Sequence, residues 1–195
     1  MNNITYYNEN YDKYISESFK ADMSLLYNEF EKYLNVKDII LDLGCGSGRD
    51  SLYFHNKGYN VISLDGSIKI IEHLKIILKN EIVFSTFEEY KTDKKFDGIW
   101  ACASLLHVKK ESMEEILLKY IDLLSVNGIF FISFKLRDNN FSNNGRVFTC
   151  FTENSLKILL NKLLGIEIIK FIETKDVRKN RENEKWISVI IKRIK

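Results

Sequence analysis

The sequence predicts an α/β fold: a mostly parallel sheet of seven strands with helices on both faces. Three observations predict it. Short apolar runs alternate with amphipathic helical stretches from residue 38 onward. A glycine-rich turn, "LDLGCGSGRD" at 41–50, joins the first run to the next helix. The last two runs have only a polar loop between them, so the final strand is antiparallel.

The elements follow in order. Residues 11–34 read as two helical pieces, with Leu26, Phe30, Tyr33 and Leu34 on one face. "DIILDL" (38–43) is a strand. Residues 48–57 suit a helix that Gly58 ends, because glycine accepts the left-handed conformation of a helix C-terminus. "YNVISLD" (59–65) is a strand and 67–79 a helix. Strands at 82–86 and 96–102 precede an amphipathic helix at 111–125. Asn127-Gly128 turns the chain into a strand at 129–134. A helix at 152–164 leads to strands at 166–173 and 185–193.

Length and composition set outer limits. At 195 residues the chain suits one domain, 1–195, and its 45% hydrophobic and 29% charged residues are ordinary for a globular protein. A net charge of +2 gives no general attraction to nucleic acid. Cys45, Cys102 and Cys150 are odd in number and far apart, which argues against a disulfide framework and a metal site alike. The N-terminus lacks a signal-peptide pattern, and no apolar run reaches membrane-spanning length. The expectation is a cytoplasmic protein, monomer or homodimer, with no membrane contact.

Gly44, Gly46 and Gly48 take three of the nine glycines. Between a strand and a helix start, glycine lets backbone approach a ligand, and free N–H groups there favour an anion. The spacing is GxGxG. A dinucleotide fingerprint would place glycine where Arg49 stands, and GK[ST] is absent. A plain tight turn is the alternative. Asp65 ends the second strand, at the offset of an acid that takes ribose hydroxyls. Its alternative role is to cap the helix that begins beyond Ser67.

The stretch "ILDLGCGSGRDSLYFHNKGYNVISLDGS" (39–66) resembles the cofactor half of class I S-adenosylmethionine (SAM)-dependent methyltransferases. "GCGSGRDSLYF" followed by "GYNV" is similar to the small tellurite-resistance-type bacterial methyltransferases. The resemblance implies a Rossmann-like sheet and SAM as cofactor. It implies that Asp42, Gly44, Cys45, Gly46 and Gly48 wrap the methionine part, that Asp65 takes the ribose, and that Gly66 and Ser67 lie beside it. The family often has an acid after the third strand to meet the adenine. Here the chain reads Ser85-Thr86-Phe87 with Glu88 close by, so Thr86 and Phe87 take that place, Phe87 being equally suited to the core. By analogy residues 1–35, with Tyr6, Tyr7, Tyr11, Tyr14, Asp22 and Met23, form a helical lid.

Ligands of open α/β sheets bind beyond the carboxyl ends of the strands. The segment Ala101–His107, the loop Lys135–Cys150 and the loop 173–185 reach that rim. Ala101 joins the cofactor set. His107 is the candidate base, or else the cap of a strand-to-helix turn. His55 and His73 read as helix-surface residues. Cys102 is not expected to be a nucleophile, since transfer from SAM needs no covalent enzyme intermediate. Of Arg137, Arg146, Arg178 and Arg181, the candidates for acceptor contact are Arg146 and Arg178, because guanidinium forks bind carboxylate or phosphate at two points. The expected function is methyl transfer to a small molecule, an anionic one on the strength of those arginines. The alternatives are a protein or nucleic-acid methyltransferase, or a SAM-binding protein without turnover. The chain has no proline, so neither the [DNS]PP[YFW] motif of base-amine methyltransferases nor a Pro-Cys nucleophile is present.

Overall fold

Strands β1 (Ile39–Leu43), β2 (Asn60–Asp65), β3 (Glu81–Phe84), β4 (Phe96–Ala101) and β5 (Leu124–Lys135) join β8 (Ile166–Lys175) and β9 (Lys185–Arg193) in one seven-stranded sheet. The computed structural model describes residues 3–178, 181 and 183–195. Strand order is β3-β2-β1-β4-β5-β9-β8. β1 to β5 pair in parallel, and β9 runs antiparallel to both its neighbours, so β8 again points with β1. The order reverses at β1, between β2 and β4, which opens a crevice at the carboxyl ends of these strands.

β1 is apolar apart from Asp42 because both its faces are covered: Ile40, Leu41 and Leu43 are fully buried. On one face Trp100 stacks on Phe131 with centroids 3.9 Å apart, and Phe30 and Phe54 close the layer. On the other, Leu117, Tyr120, Phe130 and Leu156 form the larger core.

The helices are α1 (Asn3–Glu9), α2 (Tyr11–Ser18), α3 (Ser24–Glu31), α4 (Arg49–Asn56), α5 (Ile68–Ile77), α6 (Met113–Leu123) and α7 (Glu153–Leu160). Two termini show why the sequence folds so locally. Ser67 accepts from the Ile70 N–H at the start of α5, and Thr152 with Ser155 forms a reciprocal capping box on α7.

Some expectations need correction. The stripe assigned to the second helical piece fails at Tyr33, which is 41% exposed, because α3 ends at Glu31. Asn127-Gly128 lies inside β5 and does not precede it. The register passes from Phe96↔Leu124 to Gly98↔Ile129, so the turn is a bulge, with Asn127 at φ +70°. The loop 135–150 holds a hairpin of β6 (Phe141–Asn143) and β7 (Arg146–Phe148). β8 runs on to Lys175, which shortens the loop 173–185; Lys179, Asn180 and Glu182 of that loop, like the first two residues of the lid segment 1–35, lie outside the described residues.

Candidate functional site

The glycine loop bends back onto the end of β2. Gly44, Gly46 and Gly48 have φ of +75°, +51° and +78°, a region that side chains with a Cβ rarely adopt. The N–H groups of Gly44 and Cys45 both donate to the Leu64 carbonyl, at 2.8 and 2.9 Å. That of Gly46 donates to Asp65 Oδ2 at 3.0 Å, and that of Gly48 to the Cys45 carbonyl. The expected free N–H groups are therefore absent at these four positions. The glycines serve shape: they let the chain close on itself and leave a hollow above it. A Cβ on Gly44 would stand 2.5 Å from Ser104 Cβ, and one on Gly46 would collide with the Tyr14 hydroxyl.

The hollow is a cavity of about 220 Å³ lined by Gly44, Gly46, Asp65, Gly66, Ser67, Thr86, Phe87 and Ser104. Asp65 Oδ1 also accepts from the Ser67 N–H at 2.9 Å. Burial pushes the Asp65 carboxyl up to about 6, against the pull of the backbone N–H groups of Ser67, Gly46 and Gly66. Such a carboxylate gains from hydroxyl donors. The Ser104 hydroxyl is buried without a partner. An acid in want of donors and an unpaired hydroxyl, over a glycine floor, fit the ribose and amino-acid ends of SAM. Thr86 accepts from the Glu89 N–H at 3.2 Å, and the Phe87 carbonyl is fixed by Tyr120 and Lys119.

Four of the candidate cofactor residues do not line this cavity. Asp42 is buried beneath the loop, where it accepts from the Ser51 hydroxyl at 2.6 Å. Burial, and then the charge of Asp50, hold its carboxyl well above the usual range. Cys45 turns its side chain into an apolar cluster with Ile70, Ile71 and Leu74. Gly48 faces Leu74, and Ala101 is fully buried in the core. These residues shape the loop from behind.

A second cavity, of about 490 Å³, lies on the β5–β9–β8 side. It shares Tyr7, Tyr14, Ala103 and His107 with the first. Asp22 and Met23 line it from the N-terminal segment; Phe141, Arg146 and Phe148 come from the hairpin, and Lys135, Asp176, Arg178 and Trp186 from the far end of the sheet. Its charges are mostly paired. Arg178 holds Asp176 through Nε at 2.9 Å and Nη2 at 2.6 Å; burial opposes ionisation of the acid, and Arg178 outweighs it. Lys135 is 2.7 Å from Glu184 and 4.5 Å from the Trp186 ring. Arg137 pairs with Glu184, and Arg181 lies 3.5 Å from Glu17. Arg146 differs: its guanidinium lies 4.0 Å over the Tyr6 ring and 5.1 Å over Phe148, with Nε buried and unpartnered. No carboxylate pairs with it among the described residues. Arg146 and Arg178 thus reach one cavity with different partners.

His107 stands in the shared wall. Its ring meets the Tyr7 hydroxyl at 2.8 Å through Nε2 and the Val147 carbonyl at 2.9 Å through Nδ1. Burial pushes its imidazole down to about 4. Burial likewise pushes the Cys102 thiol up to about 12, so it is no thiolate.

Sequence reasoning missed one cluster. Arg49 grips Asp50 through Nε (2.7 Å) and Nη2 (2.9 Å), and its Nη1 donates to the Ser18 carbonyl at the end of α2. Trp100 Nε1 and the Tyr27 hydroxyl also donate to Asp50. Burial alone would raise Asp50; Arg49 and these donors hold it below the usual range. The signal was the Arg-Asp pair right after the glycines, read only as a missing glycine.

The profile of the tellurite resistance protein TehB family matches residues 6–190. The chain belongs to that family. A ubiquinone biosynthesis O-methyltransferase of Rickettsia typhi is 31% identical over 126 residues, 62% of this chain and 47% of the relative. The chain spans about half the length of the curated relatives it matches. Among solved structures, a 1,6-didemethyltoxoflavin-N1-methyltransferase of Burkholderia thailandensis, with bound 1,6-didemethyltoxoflavin and S-adenosylhomocysteine, superposes with TM-score 0.78 at 21% identity. The match covers 98% of this chain and 85% of that one. TehB of Haemophilus influenzae gives 0.70 at 20% identity, covering 98% and 67%. The fold of this TehB-family chain is the one these solved structures share, and the first of them holds S-adenosylhomocysteine. No helix of the described residues is long and apolar enough to cross a membrane.

Proposed function

We propose that this chain transfers a methyl group from SAM to a small molecule held in the larger cavity. The observation that carries the reading is the shared wall: Tyr7, Tyr14, Ala103 and His107 line both cavities, so a group in one can meet a group in the other. SAM supplies an electrophilic methyl group when bound. The chain's own residues bind, orient and exclude water, which is where much of the rate of such a transfer arises. In this reading Asp65, Gly66, Ser67, Thr86, Phe87 and Ser104 hold the cofactor, and Asp42, Cys45, Gly48 and Ala101 support the loop that shapes its seat. Arg146 faces the acceptor as a cation with no carboxylate partner among the described residues, while Lys175 lines the same cavity from its exposed side. Arg178 has a lesser part there than its position suggests, because Asp176 neutralises it. An acceptor with one anionic or enolic oxygen suits Arg146, and the rings of Phe141, Phe148 and Trp186 suit a flat body. The names of the relatives, a ubiquinone-pathway O-methyltransferase and a toxoflavin-precursor N-methyltransferase, support a small ring acceptor.

α1 and α2 cover both cavities, which favours a small acceptor over a macromolecular one. Labelled SAM incubated with a metabolite extract tests the reading. The expected outcome is one or a few labelled small products. Label found only in protein or nucleic acid rejects it, and calorimetry showing no affinity for S-adenosylhomocysteine removes the cofactor step.

A further inference from the structure

We propose that Tyr7, carried by the N-terminal helix α1, is the group that takes the proton from the acceptor, relaying it to His107, and that the acceptor is therefore a hydroxyl or ring N–H compound. This rests on the reading of the two cavities as a methyl-transfer site.

The argument starts at Val147. Its carbonyl can only accept, so the His107 Nδ1 facing it at 2.9 Å carries the hydrogen. In the neutral ring Nε2 is then a bare acceptor. The Tyr7 hydroxyl stands 2.8 Å from that nitrogen and donates to it. The ring rests neutral: burial, with a smaller part from the Arg146 charge, lowers its pKa to about 4 against the pull of the Val147 carbonyl. The charged and titratable groups around the dyad are Arg146 from the hairpin, Asp65 across the cofactor cavity, and Tyr6 on α1 itself; Tyr14 of α2 packs on the Tyr7 ring. Burial raises the Tyr7 phenol, and the Arg146 charge and hydrogen bond offset part of that rise. Tyr7 lines both cavities, and the bare His107 Nε2 behind its hydroxyl gives the proton a path out of the site; a ring this hard to protonate holds the proton only in passing, as the bond to the methyl group forms.

The arrangement is held from outside the dyad. Asn3 Nδ2 donates to the His107 carbonyl at 3.1 Å, and Asn3 Oδ1 accepts from the Val147 N–H at 2.9 Å. One amide thus locks α1, the turn at His107 and the hairpin together. Asn3 is a positioning residue, since the base is assembled only with α1 docked.

The step balances. The acceptor's O–H or N–H proton goes to Tyr7 Oη while the Tyr7 proton goes to His107 Nε2. The electron pair left on the acceptor atom forms the new bond to the methyl group, whose former bonding pair stays on the cofactor sulfur. The imidazolium then returns its proton to water, and Tyr7 is a neutral phenol throughout. An acceptor already ionised in water would not need this machinery.

The test uses the full chain with ¹⁵N-labelled histidine, and Tyr7→Phe, which keeps the ring packed between Tyr6 and Tyr14. Without any cofactor, the wild-type His107 should show a protonated Nδ1 and a bare Nε2, and Y7F should displace the Nε2 resonance. An unchanged Nε2 resonance, or a hydrogen on Nε2, overturns the relay. With SAM, catechol and uracil serve as hydroxyl and ring N–H probes, and selenite as a pre-ionised one. Y7F should lower kcat for a proton-bearing probe about 100-fold, remove the pH dependence due to His107, and leave S-adenosylhomocysteine affinity within about threefold. Full turnover of catechol or uracil by Y7F overturns the proposal. So does methylation of selenite alone, or of no probe. Absence of S-adenosylhomocysteine binding instead rejects the two-cavity reading, and leaves the resonance test standing.

Discussion

The two cavities are built from opposite materials. The smaller one is backbone and short side chains: three left-handed glycines, Asp65, Ser67, Ser104. The larger one is long side chains in mutual pairs, Arg178 with Asp176 and Lys135 with Glu184, among aromatic rings. A backbone seat has one shape and fails when any atom is added. A seat of paired side chains can be retuned by substitution, but each charge removed strands its partner. The first suits a cofactor common to a whole class, and the second an acceptor that differs between members. Substitutions that add atoms should therefore act on cofactor binding in the first cavity, and those that remove one member of a charge pair should act on stability in the second.

The largest effect is expected at Gly46. Gly46→Val sets a β-branched residue at φ +51° and drives a Cβ into the Tyr14 hydroxyl. Calorimetry should show S-adenosylhomocysteine affinity falling by more than about 100-fold, roughly 2.8 kcal/mol, with the circular dichroism of the fold kept. Retained affinity would mean the loop is not the seat. Next comes Arg178→Met. It takes the closest cation from the buried Asp176 carboxylate, which keeps the Trp186 N–H at 3.2 Å, the backbone N–H of residue 178 at 3.1 Å and Lys135 at 3.9 Å, so the loss is that of charged hydrogen bonds, about 1.5–3 kcal/mol of stability. Thermal unfolding should show the loss while cofactor affinity holds within about threefold. An unshifted midpoint would show the second cavity to be as tolerant as open surface.

Asp65 allows a pH test of the same contrast. Its carboxyl is raised to about 6 in the folded chain, against about 3.9 unfolded. A raised acid is stabilising when protonated: its contribution is complete below about pH 4 and is lost as pH rises through 6. Asp65→Asn removes the buried charge, so it should improve the stability of the cofactor-free chain relative to wild type more at pH 7 than at pH 4. The gain is about 1–2 kcal/mol, below the full shift because Asn gives up part of the charged acceptance of the Gly46 and Ser67 N–H groups. Asp65→Ala should cost one to two decades of cofactor affinity at pH 7, the worth of charged hydrogen bonds of about 1.5–3 kcal/mol. A stabilised Asn variant that still binds at wild-type strength would separate the carboxylate from the ribose.

This contrast also explains what the sequence made legible. Eleven letters from Leu43 to Tyr53 contain the loop, its glycines and the helix start, because a backbone seat is written in consecutive residues. The alternation of apolar runs gave the strands for the same reason. The larger cavity draws on Asp22, Arg49, His107, Arg146 and Asp176, which meet only in three dimensions. Arg178 could be placed at the rim by topology, but its neutralisation by Asp176, two residues away, depends on both side chains turning inward. Of the N–H groups expected to be free, those of Gly44, Cys45 and Gly46 go to Leu64 and Asp65, acceptors on another strand, and that of Gly48 to Cys45 within the loop. The hairpin turn is written in consecutive residues as well. Asn144-Gly145, at φ +49° and +77°, makes the turn of the β6–β7 hairpin that brings Arg146 to the site.

The smallest effect is expected at Arg146, and it is the one that separates the two arginines. Arg146 has no carboxylate partner among the described residues, so Arg146→Met strands no charge. Methionine keeps an apolar contact with the rings of Tyr6 and Phe148, in place of a cation lying 4.0 and 5.1 Å from their centres. Unfolding free energy should change by less than about 1 kcal/mol, the scale of an exposed cation–π contact. Cofactor affinity should stay within about threefold, since the residue lines the other cavity. What changes is the acceptor. For an acceptor with an anionic or enolic oxygen, KM should rise about tenfold, or 1.4 kcal/mol, the loss of one charge-assisted hydrogen bond at a partly exposed site. For a neutral acceptor KM should not move. An Arg146→Met chain that unfolds like Arg178→Met, or that keeps its KM for an anionic acceptor, would place the anion contact on another side chain of the larger cavity.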